Sequence, residues 1–223
     1  MEKEHKTKII FNSKLSGTTI VEEEMKEKNE SNVIKNISVS TGVSSFPTSK
    51  LEINPTSKYP NLISIKSGDE IQIFVAEIDK TFSKLFQGIL SSVKIKATQE
   101  NFELVLESVS AFYTMQTKRI NYQNFKTKTG LREILNELVQ ICGINGKIVV
   151  DKSINNEFTL TPFKSFPCLS LINAICYDLD LVYDFNKGDI MTISKRTSFL
   201  DKLHNSIPIV IDNDKIISSE FEQ

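Results

Sequence analysis

The chain is written in two hydrophobic periods. From Val33 to about Ser110, short runs alternate apolar and polar residues: Ile34 to Val39, Leu51 to Ile53, Leu62 to Ile65, Ile71 to Val75, Leu85 to Leu90, Val93 to Ile95 and Phe102 to Leu106. A period of two, broken every 8 to 12 residues or so by turn residues, predicts antiparallel strands of a small barrel or sandwich. The breaks have physical causes. Pro47, Pro55 and Pro60 cannot donate to a ladder and fall between the runs, and Ser67-Gly68-Asp69 supplies a turn before the strongest strand. In the last run Phe102, Leu104 and Leu106 share one face and Glu103 and Val105 the other, so one side is core and the other faces water or a partner.

After Tyr122 the period lengthens. Leu131, Ile134, Leu135, Leu138, Val139 and Cys142 recur at helical spacing, with Thr129 placed to cap the start and Gly143 the end. Gly146 to Val150 and Phe158 to Leu160 read as strands, and Leu169, Ile172, Ile175, Cys176 and Leu179 mark a second helix after Pro167. Leu181 to Tyr183 and Ile190 to Ile193 flank Asn186-Lys187-Gly188-Asp189, a hairpin signal. The fold class expected is mainly β with an α+β part: a small antiparallel β-barrel followed by a helix-strand α+β unit. Four segments follow: a charged N-terminal arm over 1–32, a barrel over 33–122, the α+β unit over 123–197 and a tail over 198–223. The arm includes Glu22 to Glu30, a mixed charge run expected as a solvated helix or loop. The tail carries two isolated strand-like runs, Ile207 to Ile211 and Lys215 to Ser219.

With 223 residues the chain is long enough to bury a core without disulfides. Lys and Arg number 27 against 28 Asp and Glu, so no uniform field steers nucleic acid or anionic lipid, and a DNA-coating role is disfavoured. The first residues, Met1-Glu2-Lys3-Glu4-His5, are acidic where a secretory leader is basic, and no run approaches the length of a membrane span. Synthesis in a cytoplasm, without a signal peptide and without membrane insertion, is the expectation.

Candidate chemistry is sparse. Phosphate-loop, dinucleotide, zinc-protease and nucleophile-elbow motifs are absent from the sequence. Gly143 to Gly146 falls where a helix ends rather than begins, which suits a C-cap better than a phosphate cradle. Cys142, Cys168 and Cys176 have no ligand spacing and an odd count, and read as reduced core residues. Asp178, Asp180 and Asp184, near Glu157 and Asp189, are weighed as a cation site and set aside, because Asp178 and Asp180 lie at a helix C-terminus. No metal and no cofactor is expected. The concentrated basic stretch, Lys118, Arg119, Lys126, Lys128 and Arg132 with Tyr113, Tyr122 and Phe125 among them, is the place to look for nucleic-acid contact, against the plainer reading of a basic connector.

The words Ser67-Gly68-Asp69-Glu70-Ile71-Gln72-Ile73 and Leu85-Phe86-Gln87-Gly88-Ile89-Leu90 resemble the barrel of phage baseplate hub proteins. That family comprises late control protein D of contractile tails and the hub region of VgrG spike proteins of type VI secretion. Its strand GD-x-[VI]-x-[VI] is followed by [LF]-F-x-G-x-[VI], then by Leu-rich helical segments ending in a turn and a strand. Leu131 to Gly143 and Ser170 to Ile193 hold those later places, so the resemblance spans roughly 33–195. It implies a hub-barrel motif of Gly68, Asp69, Ile71, Ile73, Leu85, Phe86 and Gly88, in a structural protein without catalytic activity. It also implies a homo-oligomeric ring, a trimer in preference to a hexamer, joining tail tube to spike and open to passing DNA or effector. Its location would be the baseplate of a virion tail or injection particle. Hubs of this family carry a second barrel after the α+β unit, and the residues after Phe199 are too few for one. Two alternatives stand beside this: a secretin-like periplasmic ring module, from Leu171 to Ile193, and a tail-associated cell-wall hydrolase.

Overall fold

The structure, a computed structural model, describes residues 5–14, 16–25, 33–42, 45–55, 58–77, 80–97, 102–121, 128–154, 157–159 and 165–197. The chain divides into two compact units, Met1–Thr41 with Pro47–Ser110 and Gly42–Phe46 with Ala111–Gln223. Among the described residues no helix is long and apolar enough to cross a membrane.

Unit 1 is a seven-stranded sheet. Its strands are β1 (His5–Ser13), β2 (Gly17–Met25), β3 (Ile34–Gly42), β4 (Ser45–Ile53), β5 (Glu70–Glu77), β6 (Ser83–Ala97) and β7 (Phe102–Ser110), in the order β2-β1-β5-β6-β7-β4-β3. β5, β6 and β7 form an antiparallel meander; β1 pairs antiparallel with β5 and β4 with β7. Alternation decides the faces. On β7, Leu104 and Leu106 are buried, Glu103 and Glu107 lie on the opposite row, and Val105, on that row between them, is buried as well. Phe11, Val21, Ile34, Leu51, Ile73, Phe86 and Leu104, one from each strand, share a single core, and burying each such side chain is worth about 1.5 to 3 kcal/mol.

The expected antiparallel β class holds, with a correction to closure. All seven strands enclose one core, yet the ladder ends at β2 and β3, and no closed barrel is found among the described residues. A side chain stands where the last ladder would begin. The two carboxylate oxygens of Glu23 on β2 accept the N–H groups of Val33 and Ile34, each at 2.9 Å. One carboxylate thus meets two donors that a neighbouring strand would otherwise take.

The N-terminal arm is also corrected. His5–Ser13 and Gly17–Met25 form β1 and β2, paired rung for rung from His5↔Met25 to Ser13↔Gly17. Lys6 faces Glu24 and Lys8 faces Glu22, the latter with an ion pair at 3.9 Å, so the charge run from Glu22 to Met25 belongs to a hairpin. Residues 26–30 of that run lie outside the described residues. Leu62 to Ile65, expected as a strand, instead close a 3-10 turn over Pro60–Ser64, with Leu62 buried in the core and Ile65 as the extended residue that follows it. The runs Leu85 to Leu90 and Val93 to Ile95 are one strand, bulged between Leu90 and Ser92. Pro47 lies inside β4, ahead of its first rung with β7 at Thr48↔Val109, so the β7 ladder loses no donor to it.

Unit 2 has α1 (Thr114–Thr117), β8 (Arg119–Ile120), β9 (Lys128–Gly130), α2 (Leu131–Cys142), β10 (Lys147–Val150), β11 (Glu157–Thr159), β12 (Phe166–Pro167), α3 (Cys168–Asp178), β13 (Leu181–Asn186) and β14 (Ile190–Lys195). β13 and β14 form the expected hairpin, turned by Lys187 and Gly188 with φ of 56° and 78°. β10 joins β14 in parallel, and two short ribbons pair β11 with β9 and β12 with β8. The α2 face Leu131, Ile134, Leu135, Leu138 and Cys142 is buried as its spacing predicts. Its N-cap is Gly130 rather than Thr129, which lies in β9; the Gly130 N–H donates to the Glu133 carboxylate at 3.4 Å. Gly143 ends the helix at φ 63°, with its N–H on the Gln140 carbonyl. The unit begins at Ala111, ahead of the expected boundary at 122, and Phe112 and Met115 belong to its core. The strand-like runs Ile207 to Ile211 and Lys215 to Ser219 lie outside the described residues.

Candidate functional site

The residues Gly68, Asp69, Ile71, Ile73, Leu85, Phe86 and Gly88 lie together on β5, β6 and the turn before β5. Gly68, at φ 95°, turns the chain into β5, and the Asp69 carboxylate accepts the Lys66 N–H at 2.9 Å. The same turn extends the ladder: the Gly68 N–H donates to the Leu90 carbonyl at 2.8 Å and the Leu90 N–H to the Asp69 carbonyl at 2.9 Å. Ile71 and Ile73 then point inward, fully buried, opposite Gly88 and Phe86 on β6. Phe86 is itself fully buried and Leu85 half-buried. A Cβ on Gly88 would sit 2.2 Å from the Val109 carbonyl oxygen and 2.7 Å from the Phe86 ring. The strand can come that close to β7 only where there is no side chain.

Among the described residues the ladder ends at β2 and β3, and the side chains toward β3 are polar. Ser49 and Ser108 form a buried hydroxyl pair between β4 and β7. A cavity of about 360 Å³ crosses the sheet beside them, lined by Ser38, Ser40, Thr48, Lys50, Ser91 and Glu107 among others. On the outward row, Lys94 pairs with Glu107 at 3.2 Å and Lys50 with Glu52 at 3.2 Å. Lys96 stands 3.9 Å from Glu103 and 4.0 Å from Glu52. These groups suit contact with polar surfaces; they make no nucleophile and base pair.

In unit 2 the basic stretch is divided. Arg119 gives its Nε to the Ser165 hydroxyl at 2.8 Å and its Nη2 to the Ser165 carbonyl at 3.4 Å, whereas Arg132 donates to the Val150 carbonyl at 3.3 Å. Lys118 is exposed, and its carbonyl accepts the Cys168 N–H. Tyr113 stands edge-on to Phe46. Lys126, Tyr122 and Phe125 lie outside the described residues, as does the side chain of Lys128. The described arginines of this stretch thus each donate to oxygens of the protein itself.

The cysteines pack as the sequence predicts. All three are free and buried. Burial pushes the Cys142 thiol up to about 12, with a hydrogen bond to Cys168 acting in the same direction, and pushes Cys176 up to about 11. Thiolate, the reactive form, is scarce in such sites. Of the acidic residues weighed as a cation site, Asp180 pairs with Arg196 at 2.9 Å, and burial raises the half-buried Asp184 carboxyl. Among the described residues no group of three His, Cys, Asp or Glu is placed to hold a metal. The side chain of Glu157 lies outside the described residues.

Sequence reasoning missed the Glu23 contact and the aromatic cluster of unit 2. In that cluster Phe46 stacks on Phe185 at 4.7 Å and Phe185 tilts on Phe112 at 5.4 Å. Neither leaves a local signal, since both join residues far apart in the chain. The β1–β2 hairpin did leave one, in the alternating Ile9, Phe11, Thr19 and Val21 on either side of Gly17.

No family model and no curated protein matches the chain by sequence. Solved structures match its fold. A 43 kDa tail protein of prophage MuSo2 from Shewanella oneidensis superposes with a TM-score of 0.54 at 11% identity, over 87% of this chain and 56% of that one. Prophage tail protein gp18 from Listeria monocytogenes EGD-e gives 0.52 at 12% identity, over 85% and 51%. A tail protein from Neisseria meningitidis MC58 gives 0.52 at 10%, over 84% and 50%. The chain spans about half the length of these proteins, and what it shares with them is the fold.

Proposed function

We propose that this chain is a structural, non-catalytic component of a phage tail or a related injection particle. Its place would be the baseplate hub, where the tail tube meets the central spike. The observation that carries the reading is the likeness of fold to prophage tail proteins, which covers at least 84% of the chain and so takes in both units. The words around Gly68 to Ile73 and Leu85 to Gly88 lead to the same class from the sequence. A secretin-like module would account only for Leu171 to Ile193 and does not call for a likeness that includes unit 1.

The mechanism in this reading is geometric. A closely packed sheet such as unit 1 resists deformation, and its unpaired edges offer main-chain donors and acceptors to another chain. Repetition of one such contact about a closed axis yields a ring, with three copies preferred over six, and a lumen for passing DNA or effector. Tube and spike proteins would bind the two faces of that ring.

The test is the composition of purified particles. Quantitative mass spectrometry should find the chain in tails in a fixed ratio of three or six copies per baseplate. Deletion of its gene should leave tubes and spikes unjoined. Complete, infective or injecting particles that lack the chain would refute the reading.

A further inference from the structure

Among the described residues three stretches of unit 1 have a strand on one side and none on the other, and two of them differ from the third, β3, in what they expose. The first is the outer edge of β2. The Tyr59 hydroxyl donates to the Glu22 carbonyl at 3.2 Å, so that carbonyl faces away from β1. Alternate residues of a strand turn their N–H and C=O groups to the same side, so those of Ile20 and Thr18 face outward too. Beside Glu22, the Glu23 carboxylate holds the Val33 and Ile34 N–H groups, so the edge is met at that end, whereas among the described residues no hydrogen bond reaches the outward groups of Ile20 and Thr18.

The second is the later half of β6. β5 pairs with β6 from Ser83 to Ile89. The turn at Ser67 to Asp69 carries that side as far as Leu90 and Ser91. From Ser92 to Ala97, β6 has β7 on one side and, among the described residues, nothing on the other.

These two edges also carry exposed apolar side chains. Ile20 on β2 is 47% exposed and Ile95 on β6 is 61% exposed, while the third edge, β3, exposes only Lys35, Asn36, Ser38, Ser40 and Thr41. Edge strands of proteins that remain single are blunted by proline, bulges or inward charges. β2 has no proline, and its nine rungs to β1 run without a bulge. Charge separates the two edges: β2 ends in Glu22, Glu23 and Glu24, and the free part of β6 bears Lys94 and Lys96. Glu22 is 51% exposed and Lys94 62%, so their present ion pairs are surface pairs worth little and open to exchange.

We propose that copies of this chain join head to tail, the free edge of β2 in one adding antiparallel to the Ser92–Ala97 edge of β6 in the next. Outward faces continue into one another, which sets Glu22 beside Lys94 and Lys96 and covers Ile95. Because the two edges differ, the contact is heterologous and builds a ring when its rotation closes. The proposal deepens the ring reading above by naming its partner surfaces, yet it is tested apart from any tail.

The full-length purified chain is used throughout. Ile20→Pro removes one outward N–H and leaves the β1 side of β2 untouched, so it should keep the thermal melt while weakening self-association in sedimentation by at least about tenfold. Mixing Glu22→Cys with Lys94→Cys should give a disulfide between unlike variants, since the native cysteines are buried. Neither variant alone should crosslink. Crosslinking within one variant, undiminished association of Ile20→Pro, or a chain that stays monomeric at millimolar concentration would each overturn the proposal. None of these results would touch the presence of the chain in particles, on which the tail reading stands.

Discussion

Replacing Gly88 by alanine asks the sheet to accept one methyl group where there is no space. The new carbon would lie 2.2 Å from the Val109 carbonyl oxygen, and 2.7 and 2.8 Å from two atoms of the Phe86 ring. Unstrained heavy-atom contacts need about 3.5 Å, so something must retreat by more than 1 Å or so. A ring can turn, whereas the carbonyl belongs to the β6–β7 ladder at the rungs Gly88↔Ser110 and Ile89↔Val109. Overpacking costs about 1 to 3 kcal/mol, and two weakened rungs add about 1 kcal/mol each. A loss of about 3 to 5 kcal/mol follows from these two terms. Phe86→Ala should cost a similar amount, about 3 to 5 kcal/mol, through its cavity. The double variant separates ring from backbone: it should remain less stable than Phe86→Ala, because the carbonyl collision survives removal of the ring. Urea melts followed by circular dichroism, with hydrogen exchange on β5 to β7, assign the loss to unit 1; the chain has no tryptophan to report it. A loss below about 1 kcal/mol for Gly88→Ala, or a double variant as stable as Phe86→Ala, would refute the account of this close approach.

Three further outcomes are expected. Glu23→Ala leaves the Val33 and Ile34 N–H groups without an acceptor and should cost about 1 to 3 kcal/mol; Glu23→Gln, keeping one oxygen, should fall between, and amide exchange at Val33 and Ile34 should quicken in the same order. Burial raises the Asp184 carboxyl in the folded chain, so the fold binds its proton more tightly than the unfolded chain and stability falls as pH rises from the unfolded value through the raised one; Asp184→Asn should flatten that slope, and equal slopes in pH-dependent melts would count against it. Native chain should react slowly with iodoacetamide near pH 8 and denatured chain at all three cysteines, since Cys142 and Cys176 are raised to about 12 and about 11; rapid native alkylation, read by mass, would show an accessible thiolate.

Elements fixed by neighbouring residues were readable in advance. The α2 face, the Gly143 cap and the Lys187-Gly188 hairpin need only their own periodicity and turn chemistry, and they lie where these place them. So do Phe102 to Leu106 and Ile71 to Ile73, whose alternation tells core from solvent without reference to any partner. β2 was hidden because Glu22 to Glu24 look like solvated charge until Lys8 and Lys6 on β1 are known to face them. Leu62 is apolar in a strand as in a 3-10 turn, and composition does not separate the two. The end of the ladder at β2 and β3 depends on how seven strands curl together, which no window of sequence contains. Ile71, Ile73, Phe86 and Gly88 pack together because their alternation sets them on one face of neighbouring strands, while the acceptors that Arg119 and Arg132 find, Ser165 and the Val150 carbonyl, lie too far along the chain for any local pattern to announce.

Gly42–Phe46 belongs to the second unit although the chain on both sides of it belongs to the first. Phe46 supplies a stacked ring to a cluster whose other members come after residue 110. The second unit is therefore not a continuous stretch of gene. Recombination that exchanged everything after Ser110 would bring in a body whose aromatic cluster had been shaped around a ring left behind in the other parent. Viable chimaeras should carry the segment around Phe46 together with the later half, and a ribosome must release both before that cluster is complete.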